Sequence, residues 1–141
     1  MNTTEQIAAF LISLPANKVE ELKELHQMIL AKTGETLLHF FDGKNEEGKI
    51  VANPTIGFGQ TRLTYANGSF QDTFRLGISA NATGISIYII GLKDKNILKE
   101  KFGPRIGKAK ITGYCIRFKR LGDLDRTVLA ELVAFAFHEV H

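Results

Sequence analysis

The length, composition and charge of the chain are those of one globular domain. Its 141 residues are 44% hydrophobic and 23% charged, with a formal net charge of +3, which is ordinary for a single domain. The lone cysteine, Cys115, cannot form an intramolecular disulfide, which argues against a secreted disulfide scaffold. The longest apolar run, residues 85–92, is too short to span a membrane, and Thr3, Thr4 and Glu5 stand where a signal peptide would carry basic residues. We therefore expect a cytoplasmic protein.

The first predicted element is a short amphipathic helix. Thr3 and Gln6 have the spacing of a capping box. Apolar residues follow at i, i+3, i+4 and i+7 over residues 7–14, which is the pattern of one helix face. Pro15 either ends this helix or starts the next one.

A second helix is predicted after Pro15, and a strand after that. Asn17 with Glu20 gives its N-terminal signal, and Gly34 is placed to end it in the left-handed conformation. Residues 37–41 have the composition of a strand, and residues 42–48 form a polar loop.

The middle of the chain, residues 50–90, changes to an alternation of period two, which is typical of half-buried strands. Asn67-Gly68 is a strong hairpin signal because both residues tolerate positive φ. Residues 81–84 form a second turn. Since the connections are short, the strands must pair antiparallel. The alternating segments are residues 61–66, 74–79 and 85–90.

The chain after residue 93 predicts a short helix, a basic loop and a further strand. Asp94 can cap the helix, and Gly103-Pro104 is expected to stop it. The basic loop leads to a predicted strand over residues 114–118.

A last helix, capped by Asp123 or Asp125, is apolar over more than half of its circumference. Such a wide stripe implies deep packing on the sheet, or a partner on the remainder, such as a second copy of the chain. The whole pattern predicts a single α+β domain over residues 1–141. It consists of a twisted antiparallel sheet of about five to six strands, packed against N-terminal and C-terminal helices.

Several short motifs occur in an order that resembles the YdhG-like family of bacterial domains. They are IGFG (residues 56–59), LGIS (76–79), IYII (87–90), KFG (101–103) and CIRFKRLGDLD (115–125). The resemblance implies a helix-covered antiparallel sheet and no established catalytic residues. One branch of the family is described as a frataxin-like intracellular iron chaperone, which implies iron binding as the alternative function.

Basic residues are concentrated late in the chain. Residues 1–48 carry four Lys and eight Asp or Glu, whereas residues 93–120 carry ten Lys or Arg and two acidic residues. Arg105, Lys108 and Arg117 lie in a glycine-rich loop and the strand after it. Arg and Lys beside loop N–H groups can hold a phosphate or a carboxylate. The alternative interpretation is a solvated sheet edge guarded by Lys.

His26 is predicted to join these cations in a groove between the sheet and its helices. It falls in the middle of the apolar arc of the second helix, where an imidazole must find a hydrogen-bond partner or line a pocket. Cys115 lies within the last predicted strand, and a buried structural thiol is the default interpretation.

A separate set of carboxylates is the candidate for metal binding. Oxygen ligands on an exposed ridge would suit transient iron delivery. The alternative interpretation is a polar helix face and a polar loop that serve solubility. The candidate residues are Glu20, Glu21, Glu24, Glu46 and Glu47.

No acid–base or nucleophile cluster is recognisable in the sequence. We therefore expect a non-enzymatic module without a cofactor, which binds a small anionic ligand or a protein partner. A membrane partner is not expected. Nucleic acid is not expected either, because the basic segment contains few aromatic residues beyond Phe102, Tyr114 and Phe118.

Overall fold

The computed structural model describes residues 2–34, 38–92, 94 and 96–138. This part of the chain contains four α-helices, a six-stranded antiparallel sheet and a two-stranded hairpin, which confirms the predicted α+β architecture. In chain order the elements are α1 (Thr3–Ser13), α2 (Ala16–Thr33), β1 (Leu38–Phe41), β2 (Thr55–Phe58), β3 (Thr61–Thr64), β4 (Phe70–Thr73), β5 (Leu76–Asn81), β6 (Gly84–Ile89), α3 (Ile97–Ile106), β7 (Lys110–Thr112), β8 (Cys115–Phe118), a 3₁₀ turn (Leu121–Asp123) and α4 (Arg126–His138).

The main sheet has the strand order β1-β2-β5-β6-β8-β7, and every pairing is antiparallel. Directly opposed residues share a face, so the register assigns each side chain to one side. The helix-covered face carries Phe40, Ile56, Phe58, Leu76, Ile78, Ala80, Ile85, Ile87, Ile89, Ile116 and Phe118. The second face carries His39, Phe41, Thr55, Gly57, Gly77, Ser79, Ser86, Tyr88, Cys115, Arg117, Lys110 and Thr112.

The core lies between the helix-covered face and the helices. Leu22, Leu25 and Ile29 of α2 are fully buried there, together with Leu129 and Leu132 of α4. The wide apolar stripe of the last helix therefore packs inside the chain. In the described part of α4 no large apolar residue is exposed, so nothing there supports a homodimer through this helix, which stays a prediction. None of the helices within the described ranges is long and apolar enough to cross a membrane.

The first helix begins one residue earlier than its predicted capping box. The Asn2 side chain is the cap, since its Oδ1 accepts a hydrogen bond from the Glu5 N–H at 2.8 Å. Thr3 is the first helical residue. A cap residue must have non-helical backbone angles, and Asn2, at φ −79° and ψ 171°, meets that requirement.

The second helix also begins earlier than predicted. Pro15 precedes its first turn, and the Pro15 carbonyl accepts from the N–H groups of Lys18 (2.9 Å) and Val19 (3.1 Å). Asn17 is therefore already helical, because the fixed φ of proline sets the start. Gly34 ends the helix as predicted, with a left-handed φ of 66°.

The prediction that Gly103-Pro104 stops the third helix is wrong. Helix α3 continues to Ile106. A proline disturbs only the turn before it, and here just two helical residues follow Pro104. Phe102 and Ile106, one turn apart, are both fully buried, so packing holds the last turn in place.

The aspartate caps are partly as predicted. Asp125 caps α4, since its Oδ1 accepts from the N–H groups of Thr127 (2.9 Å) and Val128 (3.1 Å). Asp123 instead belongs to the preceding 3₁₀ turn. Asp94 is not the cap of α3, whose N-cap residue is Asn96; the Asp94 side chain accepts from the Asn96 N–H at 2.9 Å.

The Asn67-Gly68 turn is confirmed, but its hairpin is not part of the main sheet. It joins β3 to β4, which pair only with each other within the described chain. The chain then leaves the hairpin through Phe74, which packs against Gly57 and Gly77 on the second face. A Cβ at those glycines would lie 2.8 and 2.5 Å from atoms of Phe74. Only glycines leave room for this ring, and β5 starts after it.

Two strand predictions need amendment. The sequence predicts a loop where the structure has β7, because a strand of three residues gives too short an alternation to recognise. Strand β1 begins at Leu38, and Leu37, the first residue of the predicted strand, lies outside the described residues.

Candidate anion-binding groove

A groove of about 670 Å³ crosses the end of the sheet where β6, β8 and β7 meet. One wall is the turn between β5 and β6, and the other is the chain that enters β7. The end of β8 and the segment after it complete the groove. The lining residues are 83–85, 108–110, 117–120 and Asp123.

The β5–β6 wall requires glycine at position 84, because the turn there has no room for a side chain. A Cβ at this position would lie 2.6 Å from the carbonyl oxygen of Phe118, so only glycine lets the turn approach β8 this closely. The Asn81 side chain fixes the turn, since its Oδ1 accepts from the N–H groups of Thr83 (2.9 Å) and Gly84 (3.2 Å). These contacts hold the turn against the end of β8.

The opposite wall is held by backbone hydrogen bonds. The Lys108 N–H donates to the Asp123 carbonyl at 3.1 Å, and the Asp125 N–H donates to the Ile106 carbonyl at 2.8 Å. Lys110 then enters β7 directly opposite Arg117 of β8. The backbone thus brings cationic residues from two separate segments to one side of the sheet.

Helix α2 anchors the end of the groove from the helix side. Lys18 Nζ donates to the Lys119 carbonyl, and Glu21 Oε1 accepts from the Leu121 N–H at 2.8 Å. Lys18 is buried although it is charged, which is tolerated because a charged donor with polar acceptors keeps its hydrogen bonds. These contacts fix the backbone of the segment that carries Lys119 and Arg120.

Five of the lining residues are cationic, and Asp123 is the single carboxylate among them. All five cations are exposed, and none forms an ion pair with an acidic residue that the structure describes. Cations of one sign around a concave surface focus the electric field and raise the local concentration of anions. The cations are Lys108, Lys110, Arg117, Lys119 and Arg120.

The structure brings together two of the four residues predicted for an anion site. Lys108 and Arg117 both line the groove, whereas Arg105 does not. The Arg105 guanidinium donates to Glu131 Oε2 at 2.9 Å and to the Lys101 carbonyl at 3.3 Å, so it links α3 to α4.

His26, the fourth predicted residue, lies on the helix side of the sheet. Its ring packs on Phe58, with 5.1 Å between the ring centroids. Nδ1 is buried without a hydrogen-bond partner in the described part of the chain. Burial lowers the pKa of the His26 imidazole, since desolvation penalises its charged form. His26 is therefore a residue of the core boundary and does not line the groove.

The five predicted iron ligands are divided between two places. Glu20, Glu21 and Glu24 lie on α2, and Glu46 and Glu47 lie in the loop before β2. Glu21 accepts from Leu121, and Glu24 pairs with Arg126 at 2.7 Å. Within the described residues no three His, Cys, Asp or Glu side chains form a group that could hold a metal ion.

Cys115 and Ser86 lie on the second face. Ser86 is opposite Arg117, and Cys115 is opposite Tyr88. Burial raises the pKa of the Cys115 thiol, and the charge of Arg117 and a hydrogen bond with Ser86 oppose that rise. The thiol is half-buried and neutral at physiological pH, so this part of the second face does not repel an anion.

A tyrosine pair on the second face, toward the opposite end of β8 from the groove, was not predicted. Tyr88 of β6 and Tyr114 of the β7–β8 turn have ring centroids 6.2 Å apart, with 36° between their planes. Alternation along β6 places Tyr88 on the face of Ser86. The pairing of β6 with β8, which brings Tyr88 to Tyr114, has no signal in the sequence because it depends on the register of strands far apart in the chain.

No protein-family model, curated protein or solved structure matches the chain. The resemblance to the YdhG-like family stays a prediction.

Proposed function

We propose that the protein is a non-enzymatic cytoplasmic module that binds a small anionic ligand in the groove. The observation that carries the proposal is the set of five exposed cations around one concavity, none of them ion-paired to an acid in the described chain. Exposed Lys and Arg on a protein surface are ordinarily interspersed with carboxylates. The five cations repel one another, and only one carboxylate offsets this repulsion. Binding of an anion relieves the repulsion and is therefore favourable.

The dimensions of the groove favour a ligand larger than one inorganic phosphate. Its volume of about 670 Å³ lies in the range of small-molecule sites, about 300–1,000 Å³. Arg117 offers a planar fork that suits two phosphate or carboxylate oxygens, whereas the lysines act as point charges. A compound with two or more anionic groups uses this arrangement better than a single anion does.

Titration calorimetry with pyrophosphate tests the proposal. We expect binding that weakens when salt is added, because exposed charges are screened. Arg117→Gln and Lys108→Gln should each weaken it about fivefold, the cost of one charge-assisted hydrogen bond at an exposed site.

Lys32→Gln is the matched control, because it removes the same charge from an exposed position near the end of α2. It should leave the affinity for pyrophosphate unchanged, as should Arg105→Gln. The proposal is wrong if pyrophosphate gives no binding heat and no thermal stabilisation. It is also wrong if Lys32→Gln weakens binding as much as Arg117→Gln, since the attraction would then come from net charge alone.

The iron-chaperone alternative rests on the family resemblance only. Two of its five glutamates already have partners within the chain, and no observation favours it over the anion-binding function.

A further inference from the structure

Tyr88, one of the two tyrosines, lies next to Arg117 because of the register between β6 and β8. Ser86 is opposite Arg117, and Tyr88 is opposite Cys115. Tyr88 and Arg117 are therefore diagonal neighbours on the second face, which places their Cα atoms about 7–8 Å apart. Lys110, opposite Arg117, extends the cationic row away from Tyr88.

Tyr114 presents its ring to solvent from a fixed backbone. It is 56% exposed, and its carbonyl accepts from the Ile89 N–H at 2.8 Å, which ties the β7–β8 turn to β6. Its contact with the half-buried Tyr88 ring limits its freedom further. A ring that is exposed yet already ordered loses little entropy when a planar ligand stacks on it.

We propose that the anionic ligand is a free nucleoside phosphate, an inference that rests on the anion-binding function proposed above. The cations of the groove hold the phosphates, with Arg117 nearest the sugar, and the base stacks on the tyrosine pair. Diagonal neighbours on one sheet face have a spacing comparable with the separation of base and phosphate in one nucleotide. The neutral Ser86 and Cys115 occupy the space between the two subsites and repel neither part of the ligand.

The distribution of charge favours a free nucleotide over a single strand of nucleic acid. A strand needs cations along the whole track of its backbone as well as rings for its bases. A second ring pair exists on the same face, Phe41 with Phe74 at 5.4 Å, but no Lys or Arg occupies the second-face positions of β1, β2 and β5. Those positions are His39, Phe41, Thr55, Gly57, Gly77, Ser79 and Asn81.

Calorimetric titration with ADP and with pyrophosphate separates the two subsites, because the two probes share the diphosphate and differ in the nucleoside. Stacking on an aromatic ring supports an affinity for ADP about tenfold above that for pyrophosphate. Tyr114→Ala should weaken ADP about tenfold and leave pyrophosphate unchanged, whereas Tyr114→Phe should keep the preference for ADP. The matched control is Tyr65→Ala, which removes another exposed tyrosine (47%) from the separate hairpin and should change neither affinity.

Three outcomes would overturn the inference, and each has a different consequence. If ADP and pyrophosphate bind equally and Tyr114→Ala affects neither, no base is recognised, but the anion-binding function stands. If neither probe binds, both the inference and that function fall. If a single-stranded oligothymidylate of ten nucleotides binds while ADP does not, the ligand is a nucleic acid strand. Melting curves confirm that each variant is folded before its titration is interpreted.

Discussion

The two faces of the main sheet follow different rules. On the helix-covered face almost every position carries a large apolar side chain, and the central ones, such as Ile78 and Ile87, are fully buried. The same strands carry Gly77, Ser79 and Ser86 on the second face. Burial of a large apolar side chain contributes about 1.5–3 kcal/mol, while glycine and serine contribute little. Stability therefore comes mainly from one face.

Tyr114 lies at the opposite end of β8 from the groove, and the cations occur where the second face meets the other end of the sheet. There Arg117 and Lys110 stand in register, and no helix covers them. Charged groups at such positions remain solvated, so they are available to a ligand at small cost to the fold. The comparison implies that substitutions on the helix-covered face change stability and those around the groove change binding.

The largest expected effect comes from Ile87→Ala on the helix-covered face. Ile87 is fully buried in the central strand pair, so its truncation leaves a cavity and should lower the free energy of unfolding by about 3 kcal/mol. Urea denaturation measures this change. At temperatures where the variant is folded, its affinity for pyrophosphate should equal that of the native protein. A matching loss of affinity would contradict the separation of the two faces.

An intermediate effect is expected at Gly84, where a substitution should change both stability and binding. The Cβ of Gly84→Ala would lie 2.6 Å from the Phe118 carbonyl, a backbone atom that cannot turn away. The variant should lose about 2 kcal/mol of stability and bind pyrophosphate more weakly, because the β5–β6 wall of the groove moves.

Gly103→Ala is the control for this change. The nearest atom to its Cβ is a flexible lysine carbon at 3.7 Å, and the position is helical. Alanine favours a helix over glycine by up to about 1 kcal/mol, but the following Pro104 disfavours helical angles for a residue that has a Cβ. Because the two effects oppose each other, this variant should change stability by less than about 1 kcal/mol and leave binding unchanged. If Gly84→Ala is as well tolerated as Gly103→Ala, the wall is not held by the close approach that the structure shows.

The sequence predicted the fold more fully than the site, for a physical reason. Alternation and capping are local signals, and they were enough for β5, β6, α4 and the Asn81–Gly84 turn. The groove depends on contacts between distant segments. Lys108 and Arg117 were identified because they lie close together in the chain. The contribution of Gly84 and Tyr88 depends on the register between β6 and β8, which the sequence does not encode in any short motif.

His26 is a residue whose neighbours in the fold could not be predicted from the sequence. His26 lies on the apolar arc of α2, but its ring packs on Phe58 of the helix-covered face and does not line the groove. Arg105 is absent from the groove for another reason, because it pairs with Glu131 of α4, which is distant in the chain. A helical wheel gives the direction of a side chain and leaves its neighbour undetermined.

The smallest effect at neutral pH, and one that depends on pH, is expected for His26→Leu. Leucine fills the same apolar position without the unpaired Nδ1, so the variant should be about 1 kcal/mol more stable than the native protein at pH 7.5. The folded-state pKa of His26 lies below the reference value of 6.5. At a pH between the folded-state and unfolded-state pKa values of His26, the unfolded chain binds the proton more strongly than the folded chain does. The imidazole therefore does not lower the stability above about pH 6.5, and the stability falls as the pH drops from there through the folded-state pKa.

Urea denaturation of both proteins between pH 7.5 and 4.5 measures this dependence as a difference, in which groups common to both cancel. The gap between His26→Leu and the native protein should widen below pH 6.5. The gap for Gly103→Ala, which removes no titratable group, should stay constant over the same range. A constant gap for His26→Leu would mean that the imidazole can be protonated in the folded state without penalty. His26 would then have access to water or to an anion, and the sequence-based placement of this residue in a binding site would regain support against the packing on Phe58.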